Sequence, residues 1–355
     1  MTEGARGVAR FCRDAVRELY PGTFAFVMAT GIISNALYIL DHHALSAALL
    51  AVNLVAYVAL VLATIARAAR FGGRLWRDLT DPRLVFSFFT IVAGTDMLGV
   101  QLLLRGYEAV PVVLWLTALT LWILLSYFSF ALLIFTNDRR GAGVVHGGWL
   151  IAIVGTQSLV LLGTLLAPTF GRFAPLTFVG VHALWGVGIV LYGVFVTLFS
   201  NRIFFFQLSP EDAMPLFWVV MGAAAISANA GSAIIVCEPI VPFLAALRPF
   251  VEGTTLVLWA WGTWWIPLFV IVGVWKHVVR RVPLAYHPMY WSLVFPLGMY
   301  SVASYRLSLA AEFPPLVAAA HVGVWVALGA WAVTVLGWVV SAARSLRAPP
   351  EPAEA

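Results

Sequence analysis

Charge is what this 355-residue chain most lacks: Asp, Glu, Lys and Arg make up 10% of it, against 62% hydrophobic residues. A soluble domain carries about 25% charged residues. A chain this apolar has too few polar groups to cover a surface facing water. Cysteine is scarce too, and Cys12 and Cys237 stand too far apart in the sequence to suggest a metal or redox motif. The seven histidines form no His-x-x-x-His or His-Glu-x-x-His pair, and Gly-x-Ser-x-Gly and Gly-x-x-x-x-Gly-Lys runs are missing. No metal site or cofactor is expected, and an intramembrane enzyme is the weakest of the alternatives.

What the chain does have is apolar length. Crossing a bilayer takes about 20 mainly apolar residues per helix. Such runs fall at 21–40, 44–66, 84–105, 110–135, 147–167, 176–199, 214–236, 251–275, 288–308 and 316–342. Backbone polar groups in lipid must be paired internally, which leaves helices or closed-barrel strands. Barrel strands would be about half as long and would alternate polar with apolar residues, which these runs do not. The expected fold is therefore all-α and integral to the membrane, with ten transmembrane helices.

The basic residues set the expected orientation. With the N-terminus inside, 17 of the 21 Lys and Arg fall in inner segments; only Arg105, Arg172, Arg248 and Arg306 fall outside. Cytoplasmic loops carry such an excess. Both termini are then cytoplasmic, in a multi-pass protein of the cell membrane. The same asymmetry accounts for the net charge of +5, so no nucleic-acid partner is implied. Residues 1–20 have no apolar stretch ahead of a small-residue cleavage site and are not read as a signal peptide. Val8, Phe11, Cys12, Ala15, Val16 and Leu19 recur at helical spacing among Arg6, Arg10, Arg13 and Arg17, which predicts an amphipathic segment on the inner leaflet. The membrane domain is expected over 21–342, and 343–355 as a disordered cytoplasmic tail.

The odd-numbered runs share a mark. Each has a glycine near its middle, Gly31, Gly94, Gly155, Gly222 and Gly298, with Phe26, Phe89, Leu150, Phe217 or Leu293 five residues earlier. The glycines are 63, 61, 67 and 76 residues apart, about one helical hairpin. Five hairpins repeated about an axis normal to the membrane would set five helices inside and five outside. Residues three, four or seven positions from each glycine share its face. They include Ser34, Asn35, Thr90, Gln101, Ser158, Asn229, Phe295 and Ser301. A path lined by hydroxyls and amides draws in an anion without trapping it; the same groups also serve as hydrogen bonds between helices.

Asp96 is the one acid near a helix centre. It is a candidate for proton coupling or, equally, for a structural hydrogen bond. Arg105 lies eleven residues after Gly94, where it would concentrate anions at the outer mouth or be a plain snorkelling or loop arginine. Phe295-Pro296 sits mid-span, where proline removes a backbone bond and invites a kink.

The stretch Tyr20-Pro21-Gly22-Thr23-Phe24-Ala25-Phe26-Val27-Met28-Ala29-Thr30-Gly31 and the stretch Trp291-Ser292-Leu293-Val294-Phe295-Pro296-Leu297-Gly298-Met299-Tyr300 resemble the tellurite-resistance/C4-dicarboxylate transporter family. That family also holds plant slow-type anion channels and fungal malate and sulfite transporters. The resemblance runs over about residues 20–342. It implies a quasi-five-fold ring of helical hairpins around a central pore, a homotrimer, and a gate at Phe295. The expected function is passage of small anions by a channel or facilitative exporter. Proton-coupled movement of a malate-like dicarboxylate is the alternative, with tellurite or sulfite handling open to either.

Overall fold

The computed structural model describes residues 12–135, 145–237 and 241–347. Residues 12–17 are helical; the rest of the amphipathic spacing, Arg6, Val8, Arg10 and Phe11, lies outside the described residues, as do Arg139, Arg140 and the tail from 348.

Among the described residues there is no strand, and ten helices have 15 or more residues. They are α1 (Ala25–Ile39), α2 (His43–Leu79), α3 (Phe89–Leu103), α4 (Ala109–Phe135), α5 (Ile151–Leu166), α6 (Ala174–Phe205), α7 (Trp218–Val236), α8 (Arg248–Val274), α9 (Trp291–Ala310) and α10 (Leu316–Arg347). Eight stretches are long and apolar enough to cross a membrane. One of them, Gly147–Phe205, contains both α5 and α6, joined through the 3-10 turn Ala167–Phe173. α9 is not among the eight, because Ser292, Ser301, Ser304, Arg306 and Ser308 dilute its apolar character.

Odd and even helices differ in length and burial. Each odd helix opens with a short 3-10 turn: Pro21–Phe24, Val85–Phe88, Gly147–Leu150, Pro215–Phe217 and Pro288–Tyr290. Proline suits three of these starts, since its missing N–H would have no partner there anyway. In the stretches beginning at Pro21, Val85 and Pro215, 78%, 83% and 94% of the most apolar window is buried. In those beginning at His43, Ala109, Arg248 and Leu316 the share falls to 11%, 17%, 22% and 17%. The even helices instead expose Val55, Leu124, Val190, Ile271 and Val333, as a lipid-facing surface requires.

Each odd helix packs on the even helix that follows it. The chain reverses on a left-handed residue between α1 and α2 (Asp41), α3 and α4 (Gly106), α5 and α6 (Gly171), and α9 and α10 (Glu312). The odd helices also pack in series, α1 on α3, α3 on α5, α5 on α7, α7 on α9, and α9 back on α1. A second set of ties runs from each even helix to the next odd one. Tyr57 of α2 shares a hydrogen bond with Thr95 of α3 at 3.0 Å. Trp122 donates to Thr156 at 2.8 Å, Trp185 to the Ser227 carbonyl at 3.0 Å, and Trp259 to Ser304 at 3.0 Å. Trp331 of α10 closes the series on Thr30 of α1 at 2.9 Å.

Three helices run past the ends that composition suggests. α2 continues through Arg67–Leu79, bending at Phe71 (φ −134°, ψ 36°), α6 runs on to Phe205, and α10 reaches Arg347, so 343–347, expected as the start of a disordered tail, are helix. A cluster of arginines reads as loop in sequence, yet arginine is a good helix former and needs only water for its head group.

Candidate transport pathway

The five glycines lie where odd helices approach their neighbours. A Cβ on Gly94 would stand 3.4 Å from Val27 and the Phe24 carbonyl of the α1 segment; one on Gly155 would stand 3.2 Å from Phe89 of α3. At Gly222 it would meet Pro296 at 2.6 Å, and at Gly298 it would meet Ile32 at 2.9 Å. Gly31 faces Asn53 of α2 and Met97 of α3, both at 3.1 Å. Missing side chains thus allow backbones to pack closely.

The polar candidates divide by what they touch. Ser34 and Ser46 clasp α1 to α2, each hydroxyl donating to the other's carbonyl at 2.8 and 2.7 Å. Ser301 donates to the Ala320 carbonyl of α10 at 2.6 Å, and Thr90 to the Ser87 carbonyl at 2.8 Å. These three are committed to helix contacts or to their own turn. Others keep unused capacity. Asn35 is 2% exposed, and neither of its amide atoms has a partner. Asn229 donates to Met299 Sδ at 3.3 Å but leaves Oδ1 unpaired. Gln101 accepts from Asn53 at 2.6 Å and leaves Nε2 unpaired. Ser232, three residues beyond Asn229, has an unpaired buried hydroxyl. Leaving such groups without partners costs about 1–3 kcal/mol each, which makes them candidates to face water or a passing solute. Asn35, Gln101 and Asn229 all follow their helix's central glycine, so the unpaired groups gather in the second half of α1, α3 and α7.

Asp96 is fully buried between α3 and α5. The Ser158 hydroxyl lies 2.7 Å from its Oδ2 and 2.8 Å from the Gly155 carbonyl, while Oδ1 has no partner. One hydroxyl hydrogen cannot serve two acceptors fully. A proton on Asp96 would complete the chain from Asp96 to Ser158 to the Gly155 carbonyl. Gln157 turns the other way, donating to the Trp185 carbonyl at 3.3 Å.

Phe295 is 1% exposed within the main core. Beside it, Pro296 has no N–H to offer the Ser292 carbonyl, and its ring fills the notch at Gly222. Arg105 follows α3 and ties helix ends together: it donates to Ser46 Oγ at 2.6 Å and to the Gln101 carbonyl at 2.7 Å, with its guanidinium 4.9 Å from the centre of the Tyr38 ring. Sequence reasoning passed over Asn53, whose isolated amide inside an apolar run was the available signal. It also passed over the half-buried pair Arg67–Asp78, for which spacing gave none.

A family profile described as "voltage-dependent anion channel" matches residues 18–339. The chain belongs to that family. It is a multi-pass membrane protein, and the resemblance carried by Tyr20–Gly31 and Trp291–Tyr300 pointed to the same group. An uncharacterized transporter of Methanocaldococcus jannaschii is 24% identical over 340 residues, covering 91% of this chain and 93% of its own. A second from that organism is 22% identical over 304 residues, 82% of this chain and 85% of its own. An uncharacterized membrane protein of Mycobacterium tuberculosis is 43% identical over 144 residues, 41% of this chain and 73% of its own. Membership of this family places the chain among membrane channels and transporters.

Proposed function

We propose that the protein passes small anions through a central pore, as a channel or facilitative exporter, and that Phe295 gates it. In this reading all ten helices cross the membrane, both termini are cytoplasmic, and α1, α3, α5, α7 and α9 form a quasi-five-fold ring around the path. The observation that carries it is the closed series of contacts among those five short, buried helices, with α9 returning to α1. The unpaired polar atoms of Asn35, Gln101 and Asn229 supply neutral donors and acceptors along the interior, the lining an anion needs if it is not to be trapped. Phe295 blocks by bulk, and the adjacent proline leaves the Ser292 carbonyl without its usual helical donor, so the ring sits at a weakened point of α9. The proposal includes a homotrimer, as the family resemblance implies. The test is current through the protein in liposomes, wild type beside Phe295→Ala, with chloride, nitrate, sulfite and malate. The variant is expected to conduct at least about tenfold more at any pH; equal currents would remove Phe295 from the gate.

A second reading rests on Asp96. A buried carboxyl with one oxygen unpaired, linked to a hydroxyl, is the kind of group that carries a proton during coupled transport. Proton-linked malate uptake that is saturable in wild type and loses its pH dependence in Asp96→Asn would favour this reading. Unchanged pH dependence in the variant would leave Asp96 as a structural hydrogen bond between α3 and α5.

A further inference from the structure

On the arginine-rich face, a cavity of about 410 Å³ opens between residues 17–21, the far end of α2 and the turn before α9. That volume lies in the range of small-molecule sites. Arg17, Arg67, Arg74 and Arg77 line it, against Glu18 and Asp78, so two positive charges are uncompensated. The bend of α2 at Phe71 brings this about, since it lets Arg67 reach across eleven residues to Asp78, 2.6 Å away.

Two features mark a built site rather than a scatter of surface charge. Arg67, one of the lining residues, is only 4% exposed, and its Nε, shut off from the surface, has no partner, so a desolvated guanidinium stands behind the wall with hydrogen-bonding capacity unused. Arg74 is also already holding an anion: Glu18 Oε1 accepts from its Nη1 at 2.6 Å and from Arg17 Nε at 3.2 Å. Arg77, one turn from Arg74 and on the same side of the helix, has no side-chain partner among the described residues.

We propose that this cavity binds a phosphate-bearing anion, with the Glu18 carboxylate as its internal stand-in. Arginine forks match phosphate oxygens in pairs, and a doubly charged phosphate balances the two excess charges. An incoming phosphate takes Arg74 and Arg77 and releases Glu18. The cavity wall also includes Tyr20, Pro21, His287 and Pro288, so the bound anion lies against the 3-10 turns that start α1 and α9. Tyr20 and His287 already touch edge to face there, with ring centres 6.3 Å apart. Binding therefore acts at the start of the helix that carries Phe295.

The phosphate could come from a lipid headgroup or from solution, and the test separates them. Thermal unfolding is followed in phosphatidylcholine nanodiscs as inorganic pyrophosphate is titrated against sodium chloride of matched ionic strength. A parallel set contains phosphatidic acid and no pyrophosphate. The wild type is expected to gain stability with pyrophosphate. The midpoint should rise about tenfold in Arg77→Gln, the loss of one charged hydrogen bond, and fall in Glu18→Gln, which frees Arg74. Stabilisation by phosphatidic acid alone, with the same ordering of variants, assigns the site to a lipid headgroup. Stabilisation that chloride reproduces, or that is the same in wild type, Arg77→Gln and Glu18→Gln, or that neither phosphate source produces, overturns the proposal. Binding is read without any flux, so it stands or falls apart from conduction.

Discussion

At Gly222 a methyl group would come within 2.6 Å of Pro296 Cγ, a ring that cannot turn aside as a flexible side chain would. Gly222→Ala is expected to cost about 1–3 kcal/mol, the usual penalty for overpacking. Gly180 on α6, where an added Cβ meets nothing within 4 Å, should accept alanine within about 1 kcal/mol in either direction. Thermal unfolding of the two variants in one detergent makes the comparison, and equal losses would show that the α7–α9 contact is not tight. The same residues show what periodicity gave and withheld. Spacing placed Ser34 on the face of Gly31, and so it is; but that face meets α2 and α3, and Ser34 is used up in its clasp with Ser46. A helical period identifies a stripe without saying which neighbour it addresses. Asn35, one position on, keeps both amide atoms free.

Among the elements, the 3-10 turns that begin the odd helices were only partly legible. Pro21, Pro215 and Pro288 announce three of them, but Val85 and Gly147 do not. Two turns are capped by histidine: His146 Nδ1 accepts from the Gly148 N–H at 3.0 Å, and His287 Nδ1 from the Met289 N–H at 3.2 Å. His146 Nε2 lies 2.8 Å from the Arg83 carbonyl, so the neutral ring with its hydrogen on Nε2 satisfies both neighbours. Burial holds this imidazole below its ordinary value; Arg83 pushes both ways, its carbonyl favouring the charged ring and its guanidinium opposing it, while Asp81 favours it. The native state then binds fewer protons than the unfolded chain below about pH 6.5, and stability is lost as the pH falls through that value. Thermal unfolding at pH 7.5 and 5.5 should show a smaller acid loss in His146→Asn, which keeps an acceptor for Gly148 but cannot titrate. An identical loss in both proteins would place the effect elsewhere.

Across the whole molecule, the ten hydrophobic runs each fall on a long helix among the described residues, because lipid makes length and apolarity the dominant constraint, though α9 is too polar to count among the eight stretches apolar enough to cross. The ties between hairpins were not legible, since they depend on partners far apart in the chain: Trp331 reaches back to Thr30, and Asn53 forward to Gln101. Orientation is a property of this scale alone, as no single contact fixes it. Charge bears on it: Arg67, Arg70, Arg74 and Arg77 extend α2 beyond its apolar part, and Lys276, Arg280 and Arg281 follow α8, at the ends away from the α1–α2 and α7–α8 turns. Arginines left on the translocated side would each have to cross the bilayer during insertion, so this end is expected to stay in the cytoplasm. Cys12, exposed on the short helix that leads to Arg17, and Tyr107, 56% exposed in the α3–α4 turn, mark the two sides. In a Cys237→Ser background, a membrane-impermeant maleimide applied to intact cells should label Tyr107→Cys and spare Cys12 until the cells are permeabilised. Labelling of Cys12 from outside would reverse the orientation, and the arginine cavity would then face the exterior, where a cytoplasmic phosphate could not reach it.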